Sequence, residues 1–268
     1  MNRFVAFLLL AAFLTPSSAH GQLDPTDQRP ALYGHGLPIF VEVHGGYTTF
    51  SMQEASDVFR TALGAYRDVG VVLPMQQDYP GNGLLGLDVL AGPRPWLHVG
   101  LGGRMTRTQA ASIYGDYAGT LDVVARAELW TVEGIARLER ALTPRLRPFG
   151  GVRGGLALGR YTLTEDVAID LSALAPDLPP EQTVGSSQAV LRASGAGFTS
   201  EGFVGLRYVM GRMAFSTQAG YRFARVVNPD GRGTTDAGDV LFDGELPLTL
   251  GYAGWVGTLG LSVNVGRR

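Results

Sequence analysis

Residues 201–227 read EGFVGLRYVMGRMAFSTQAGYRFARVV. After Gly211-Arg212 the pattern has period two. Met213, Phe215, Ala219, Tyr221 and Phe223 share one face; Ser216, Gln218, Gly220 and Arg222 share the other. Before the turn, Val204, Leu206 and Tyr208 oppose Glu201, Phe203 and Arg207. Two alternating runs around a tight turn form a β-hairpin. Each arm exceeds the five or six residues usual for a soluble strand. An apolar face of that length, backed by a charged one, suits a strand with lipid on one side and a polar interior on the other.

The same alternation recurs along the chain. Ile39, Val41, Val43 and Tyr47 oppose Phe40, Glu42 and His44 in segment 38–50. Leu85, Leu87 and Val89 oppose Gly86 and Asp88, before a Gly-Pro-Arg-Pro turn at 92–95. Leu97, Val99, Leu101 and Met105 oppose His98, Gly100, Gly102 and Arg104 in 96–109. Leu121, Val123, Ala125, Ala127 and Leu129 oppose Asp122, Arg126 and Glu128 from 120 onward. The phase is then lost: 131–142 fits either a helical turn or, preferably, a strand continuing past a bulge near Gly134. Segment 146–163 sets Val152, Leu156 and Leu158 against Gly151, Arg153, Gly155 and Gly159. Segment 249–265 sets Trp255, Leu259, Leu261, Val263 and Val265 against Gly254, Thr258, Gly260, Ser262 and Asn264. With the opening hairpin, taken as 196–210 and 213–227, this gives eight strands.

Connections alternate between long (51–82, 110–119, 164–195, 228–248) and short. Short periplasmic turns with longer external loops are the signature of an outer-membrane barrel. The expected fold is therefore all-β: an eight-stranded antiparallel up-and-down transmembrane β-barrel, with both termini on the periplasmic side.

Composition agrees. The chain has 268 residues, 38 Gly, 15 Pro and no Cys. Only 17% of residues are charged, against about 25% in soluble domains. The net charge of −2 gives no basic balance toward nucleic acid. All the Lys+Arg cations are Arg. Absence of Cys excludes disulfides, thiolate chemistry and an N-terminal lipidated Cys. Residues 1–21 read as a cleaved secretory signal, with Arg3, an apolar run Phe4 to Leu14, and small residues to Ala19. That run is too short to span a bilayer as a helix, which needs roughly 20 residues. Residues 22–37, with Pro25 and Pro30, read as a flexible periplasmic lead-in, and 38–268 as the barrel.

An eight-stranded barrel has room only for side chains inside. The acids Glu42, Asp88, Glu128 and Glu201 and the bases Arg104, Arg126, Arg153, Arg207 and Arg222 are expected there. Near balance of sign points to a salt-bridged plug, with inward Gly residues giving side chains room, and less readily to a narrow channel. In the first external loop, Ser51-Met52-Gln53-Glu54 has the form of a capping box. Val58, Phe59, Ala62, Leu63 and Tyr66 follow on one stripe, so 52–68 is expected to be a short amphipathic helix near the barrel mouth. Loop 164–195 carries no motif and reads as mobile. Asp230-Gly231-Arg232-Gly233, Asp236 and Asp239 match no calcium loop and read as a solvated turn. His98 and Ser216 both fall on the inward face, so a hydrolytic pairing oriented by Glu42 or Glu201 is conceivable, although no catalytic motif accompanies it. No cofactor or metal motif is present.

The chain resembles the small OmpA/OmpX-like eight-stranded outer-membrane barrels, and in particular the "outer membrane protein beta-barrel domain" family. The residues that carry the likeness are the N-terminal signal, Val41 to Phe50 leading into Ser51-Met52, and Tyr252-Ala253-Gly254-Trp255-Val256-Gly257-Thr258-Leu259-Gly260-Leu261. Such barrels usually end on an aromatic residue; this chain reads Asn264-Val265-Gly266-Arg267-Arg268. The resemblance implies a structural protein, an adhesin, a small-solute channel or a part of a larger assembly, and does not choose among them. The balanced polar interior and long external loops lead to the expectation of a non-enzymatic structural or surface-interaction barrel, in contact with outer-membrane lipids and with an envelope or surface partner at the loops. The alternatives are a narrow conduit for small or hydrophobic solutes, and a lipid-acting enzyme.

Overall fold

The computed structural model describes residues 37–68, 79–116, 119–170 and 184–265. The signal and nearly all of the lead-in lie outside these, as do parts of the first and third external loops and the last three residues.

Eight strands form a closed ring. β1 (Ile39–Thr48), β2 (Asn82–Arg94), β3 (Leu97–Asp116), β4 (Gly119–Glu139), β5 (Leu146–Asp170), β6 (Val184–Met210) and β7 (Met213–Val227) pair in chain order. After β8 (Asp230–Thr235), β9 (Val240–Glu245) and β10 (Thr249–Gly251), β11 (Gly254–Asn264) pairs with β7 on one side and β1 on the other. The β1–β11 ladder runs from Phe40↔Asn264 to Thr48↔Val256 and leaves no edge in the wall. All pairings are antiparallel, and within the belt closure pairs each of the eight ring strands on both sides, which a lipid-facing sheet requires. The short turns and the two barrel ends share one rim, where the Val265 N–H donates to the Ile39 carbonyl (2.8 Å).

The outer wall carries a continuous apolar belt that includes Val43, Leu85, Leu101, Val132, Leu156, Leu206, Phe215 and Leu259. Leu259 is 70% exposed. Tyr47, Trp130, Tyr221 and Trp255 lie along its upper margin, with Tyr221 and Trp255 packed edge to face at 5.4 Å. Trp96 and Tyr208 lie toward the short-turn rim. Exposed apolar surface of this extent does not suit water. Flanked by aromatic girdles, it makes this a transmembrane barrel.

Above the belt the wall continues without β1 and β2. β3 to β6 run on to Asp116, Gly119, Asp170 and Val184. The stretches expected as loops 110–119 and 164–195 are therefore largely strand. The fourth loop is corrected as well: Asp230–Thr235 and Val240–Glu245 form a hairpin, with β8 adding to β6. The register step between Gly197↔Val226 and Ser194↔Asp230 marks a bulge at Asn228-Pro229. Asn228 takes φ 47°, a left-handed conformation that Asn tolerates. β7 and β8 thus form one bent strand along β6. Segment 249–265 is interrupted at Tyr252-Ala253, which separates β10 from β11.

Segment 131–142 is settled by register. β4 runs unbroken through Leu101↔Gly134 and Gly134↔Gly154, with no bulge, and ends at Glu139.

α1 (Gln53–Asp68) stands where β1 and β2 stop. Met52, just before the helix, and Ala55, Phe59 and Leu63 on it are buried in one apolar cluster with Leu121, Ala125, Leu129, Leu250 and Tyr252. Glu54 does not fold back as a capping box would. Its carboxylate accepts the Thr249 N–H at 2.5 Å, tying the helix to β10.

Candidate functional site: the barrel interior

Within the belt the interior is a lattice of charge. Glu42, Asp88, Glu133, Glu139 and Glu201 are buried beside Arg104, Arg137, Arg153, Arg207 and Arg222. Alternation explains this placement, since each residue sits at an inward position of a long strand.

Near the short-turn rim, Arg137 Nη1 donates to Glu42 (2.9 Å), and the Ser216 hydroxyl donates to the other Glu42 oxygen (2.5 Å). Glu139 accepts from Arg207 (3.3 Å) and from Arg147 (3.2 Å). Arg207 also donates to Ser262 (3.1 Å) and lies over the Phe40 ring at 4.6 Å. The Arg137 guanidinium lies 5.0 Å from the Phe149 ring centre.

The next layer up centres on Asp88 and Glu201. Arg153 donates to Asp88 at 2.7 Å and stacks over Phe203 at 5.0 Å. Arg104 pairs with Glu201, and Arg222 reaches the same carboxylate at 3.4 Å. Gln218 bridges the layer, accepting from Arg153 (3.4 Å) and donating to Glu201 (3.1 Å). His44 accepts from Arg104 at 3.2 Å. Thr199 donates to Glu133 at 3.2 Å.

Inward glycines make this density possible. A Cβ at Gly102 would overlap the Asp88 carboxylate, and one at Gly86 would overlap the His44 ring. The polar side chains therefore lie across the barrel over a glycine on the neighbouring strand.

At Thr131 the interior changes character. Above it, Leu129, Ala127, Ala125, Val123 and Leu121 point inward and join the cluster sealed by α1. Tyr79 donates to Tyr161 (3.2 Å), and Tyr252 donates to the Glu128 carbonyl (2.9 Å). Burial raises the phenol pKa of both Tyr161 and Tyr252.

Seven of the nine charges expected inside are there: Glu42, Asp88, Arg104, Arg153, Glu201, Arg207 and Arg222. Arg126 and Glu128 are not. Both point outward, above the belt, and line a surface cavity with Arg160 and Arg192. The expectation placed the apolar face of 121–129 against lipid, but this part of β4 stands clear of the belt, so that face turns inward. Glu133, Arg137 and Glu139 escaped notice because the phase of 131–142 was lost: the preferred strand was broken by a bulge near Gly134, so no face could be assigned beyond it. Their signal was parity: they carry on the odd-numbered inward series of β4. His44 was read on the polar face but not as a network member.

The hydrolytic arrangement is not assembled. Ser216 gives its hydroxyl directly to Glu42, whereas His98 packs edge-on to Phe40 at 5.2 Å and sits 4.0 Å from Glu139. Among the described residues no group of acids and histidines could hold a metal ion.

No protein-family profile and no curated protein matches this chain in sequence. Solved structures do resemble it. Neisserial surface protein A (NspA) is 12% identical over 84% of this chain and 96% of that chain, with a TM-score of 0.34. CarO2 of Acinetobacter baumannii is 10% identical over 86% of this chain and 100% of that one, at 0.36. Ail, the attachment invasion locus protein of Yersinia pestis, is 7% identical over 85% and 98%, at 0.34. The barrel assignment itself stands on the closed β1–β11 ladder and the apolar belt.

Proposed function

We propose that this chain is an outer-membrane barrel that does not conduct and acts through its extracellular sheet, as a structural or surface-interaction protein. The observation that carries the reading is the sealed interior. Guanidinium groups, carboxylates and aromatic rings fill the belt region, and an apolar cluster capped by α1 fills the region above it. An interior filled in this way opposes the passage of ions. What remains accessible is the wall that β3 to β6, β8 and β9 raise above the membrane, the natural place to meet an envelope or surface partner.

Planar-bilayer recording tests the sealed interior, and silence is the expected result. Reproducible unitary steps would overturn the reading in favour of a conduit. Replacing 228–248 by a short turn should leave a heat-modifiable barrel that no longer binds its surface partner. A trimmed barrel that still binds would refute the assignment of function to this wall.

A further inference from the structure

The outer face of the extracellular wall carries a second constellation, unrelated to the plug. Arg126, Glu128, Arg160, Thr162, Arg192 and Ser194 line a cavity of about 510 Å³. Their register is direct: Arg126↔Thr162↔Arg192 in one row and Glu128↔Arg160↔Ser194 in the next. Three guanidinium groups thus stand on three adjacent strands, and Arg232 of β8 lies opposite Arg192.

Inside the barrel, each arginine has a carboxylate within 4.0 Å. Among the described residues Arg126, Arg160 and Arg192 have none, even though Glu128 sits opposite Arg160. The lining holds three guanidinium groups and one carboxylate, with Asp230 across from Ser194 at its edge and Asp243 across from Arg232. The lining itself is thus net positive, and clustered like charges of this kind favour a bound anion.

Position says where that anion comes from. Arg160 is two residues beyond Leu158, and Arg126 four residues beyond Trp130, both of them lipid-exposed. At about 3.3 Å per residue and a tilt near 45°, these offsets place the two arginines about 5 and 9 Å above the hydrocarbon edge. The headgroup zone is about 5–7 Å deep on each side, and arginine side chains reach that far. Guanidinium groups take phosphate oxygens in pairs of hydrogen bonds. Thr162 and Ser194 add hydroxyl donors. Glu128 accepts from hydroxyl groups and repels a bare anion, so the set suits a phosphate that carries a hydroxylated group.

We propose that this cavity binds the phosphate of a hydroxyl-bearing headgroup in the outer leaflet. The proposal rests on the apolar belt spanning the membrane. The protein holds such a lipid at its wall, and the lipid neutralises the arginine cluster.

The test uses full-length barrel in phosphatidylcholine vesicles containing either phosphatidylglycerol or a diphosphorylated glucosamine lipid. Lipid retained through detergent exchange is read by native mass spectrometry. The variant is Arg126→Gln with Arg160→Gln and Arg192→Gln; the control is Arg94→Gln with Arg140→Gln at the opposite rim. The wild type and the control should retain the phosphorylated lipid, and the triple variant should bind it about 100-fold more weakly, at about one kilocalorie per charge. Equal retention by wild type and triple variant would overturn the proposal. Saturation by inorganic phosphate with no lipid retained would overturn the lipid source. A heat-modifiability gel on each sample reports barrel insertion separately; a wild type that fails to insert would sink the membrane reading underneath.

Discussion

The pair Glu42–Arg137 offers a direct measure of what the plug contributes. The two groups meet at 2.9 Å, both almost wholly buried. At that distance and an effective dielectric constant near 20, their attraction is about 6 kcal/mol before desolvation is subtracted. Removing one partner strands the other charge. Glu42→Gln leaves Arg137 over Phe149 without its carboxylate; Arg137→Met leaves Glu42 held only by Ser216. Each single change should cost about 3–5 kcal/mol. The double variant strands nothing and should cost no more than either single one, a coupling of about 3 kcal/mol or more. Urea unfolding in lipid vesicles measures this, with fluorescence from the outward-facing Trp96, Trp130 and Trp255 as the signal. Simple additivity of the two single changes would refute the claim that the charges are energetically paired.

The same apparatus checks other features. Gly102→Ala drives a methyl group into Asp88 and Ile135, and should lower stability by about 1–3 kcal/mol. Leu259→Arg, midway along a lipid-facing strand, should cost about 2–4 kcal/mol in vesicles. Phe59→Ala empties the buried face of α1; proteolysis within 51–81 should accelerate while the heat-modifiable band survives. Partial burial raises the pKa of Glu165, which lies above the belt, so the folded state binds its proton more tightly than the unfolded chain does. That group favours the fold at acid pH and opposes it once pH rises past its folded pKa; Glu165→Gln should therefore stabilise at neutral pH and change little in acid.

The barrel was legible in the sequence wherever lipid lay on one side and charge on the other. Met213 to Phe223 and Leu97 to Met105 show why: every second residue faces hydrocarbon, and composition follows. Residues 119–139 read poorly for a physical reason. β4 keeps one parity throughout, with odd-numbered residues inward. Chemistry inverts at Trp130-Thr131, so Leu129 and Glu133 face the same way in opposite surroundings. An argument that equates apolar with lipid-facing must misplace Arg126 and Glu128, and must lose the phase at 131. The upper strands around 164–170 and 184–195 were hidden differently. Residues 164–170 read TEDVAID and 184–195 read VGSSQAVLRASG; neither alternates cleanly, and their strand character comes from neighbours on the wall, not from their own pattern.

That inversion also fixes how deep the protein floats. Along the outside of β4, Trp130 and Glu128 are separated by one residue. Sinking by a single pleat would carry Glu128 and Arg160 into hydrocarbon; rising by one would lift the indole out of the interface it prefers. The wall is thus its own waterline. A thinner or thicker bilayer should deform around the barrel before the barrel shifts along the membrane normal.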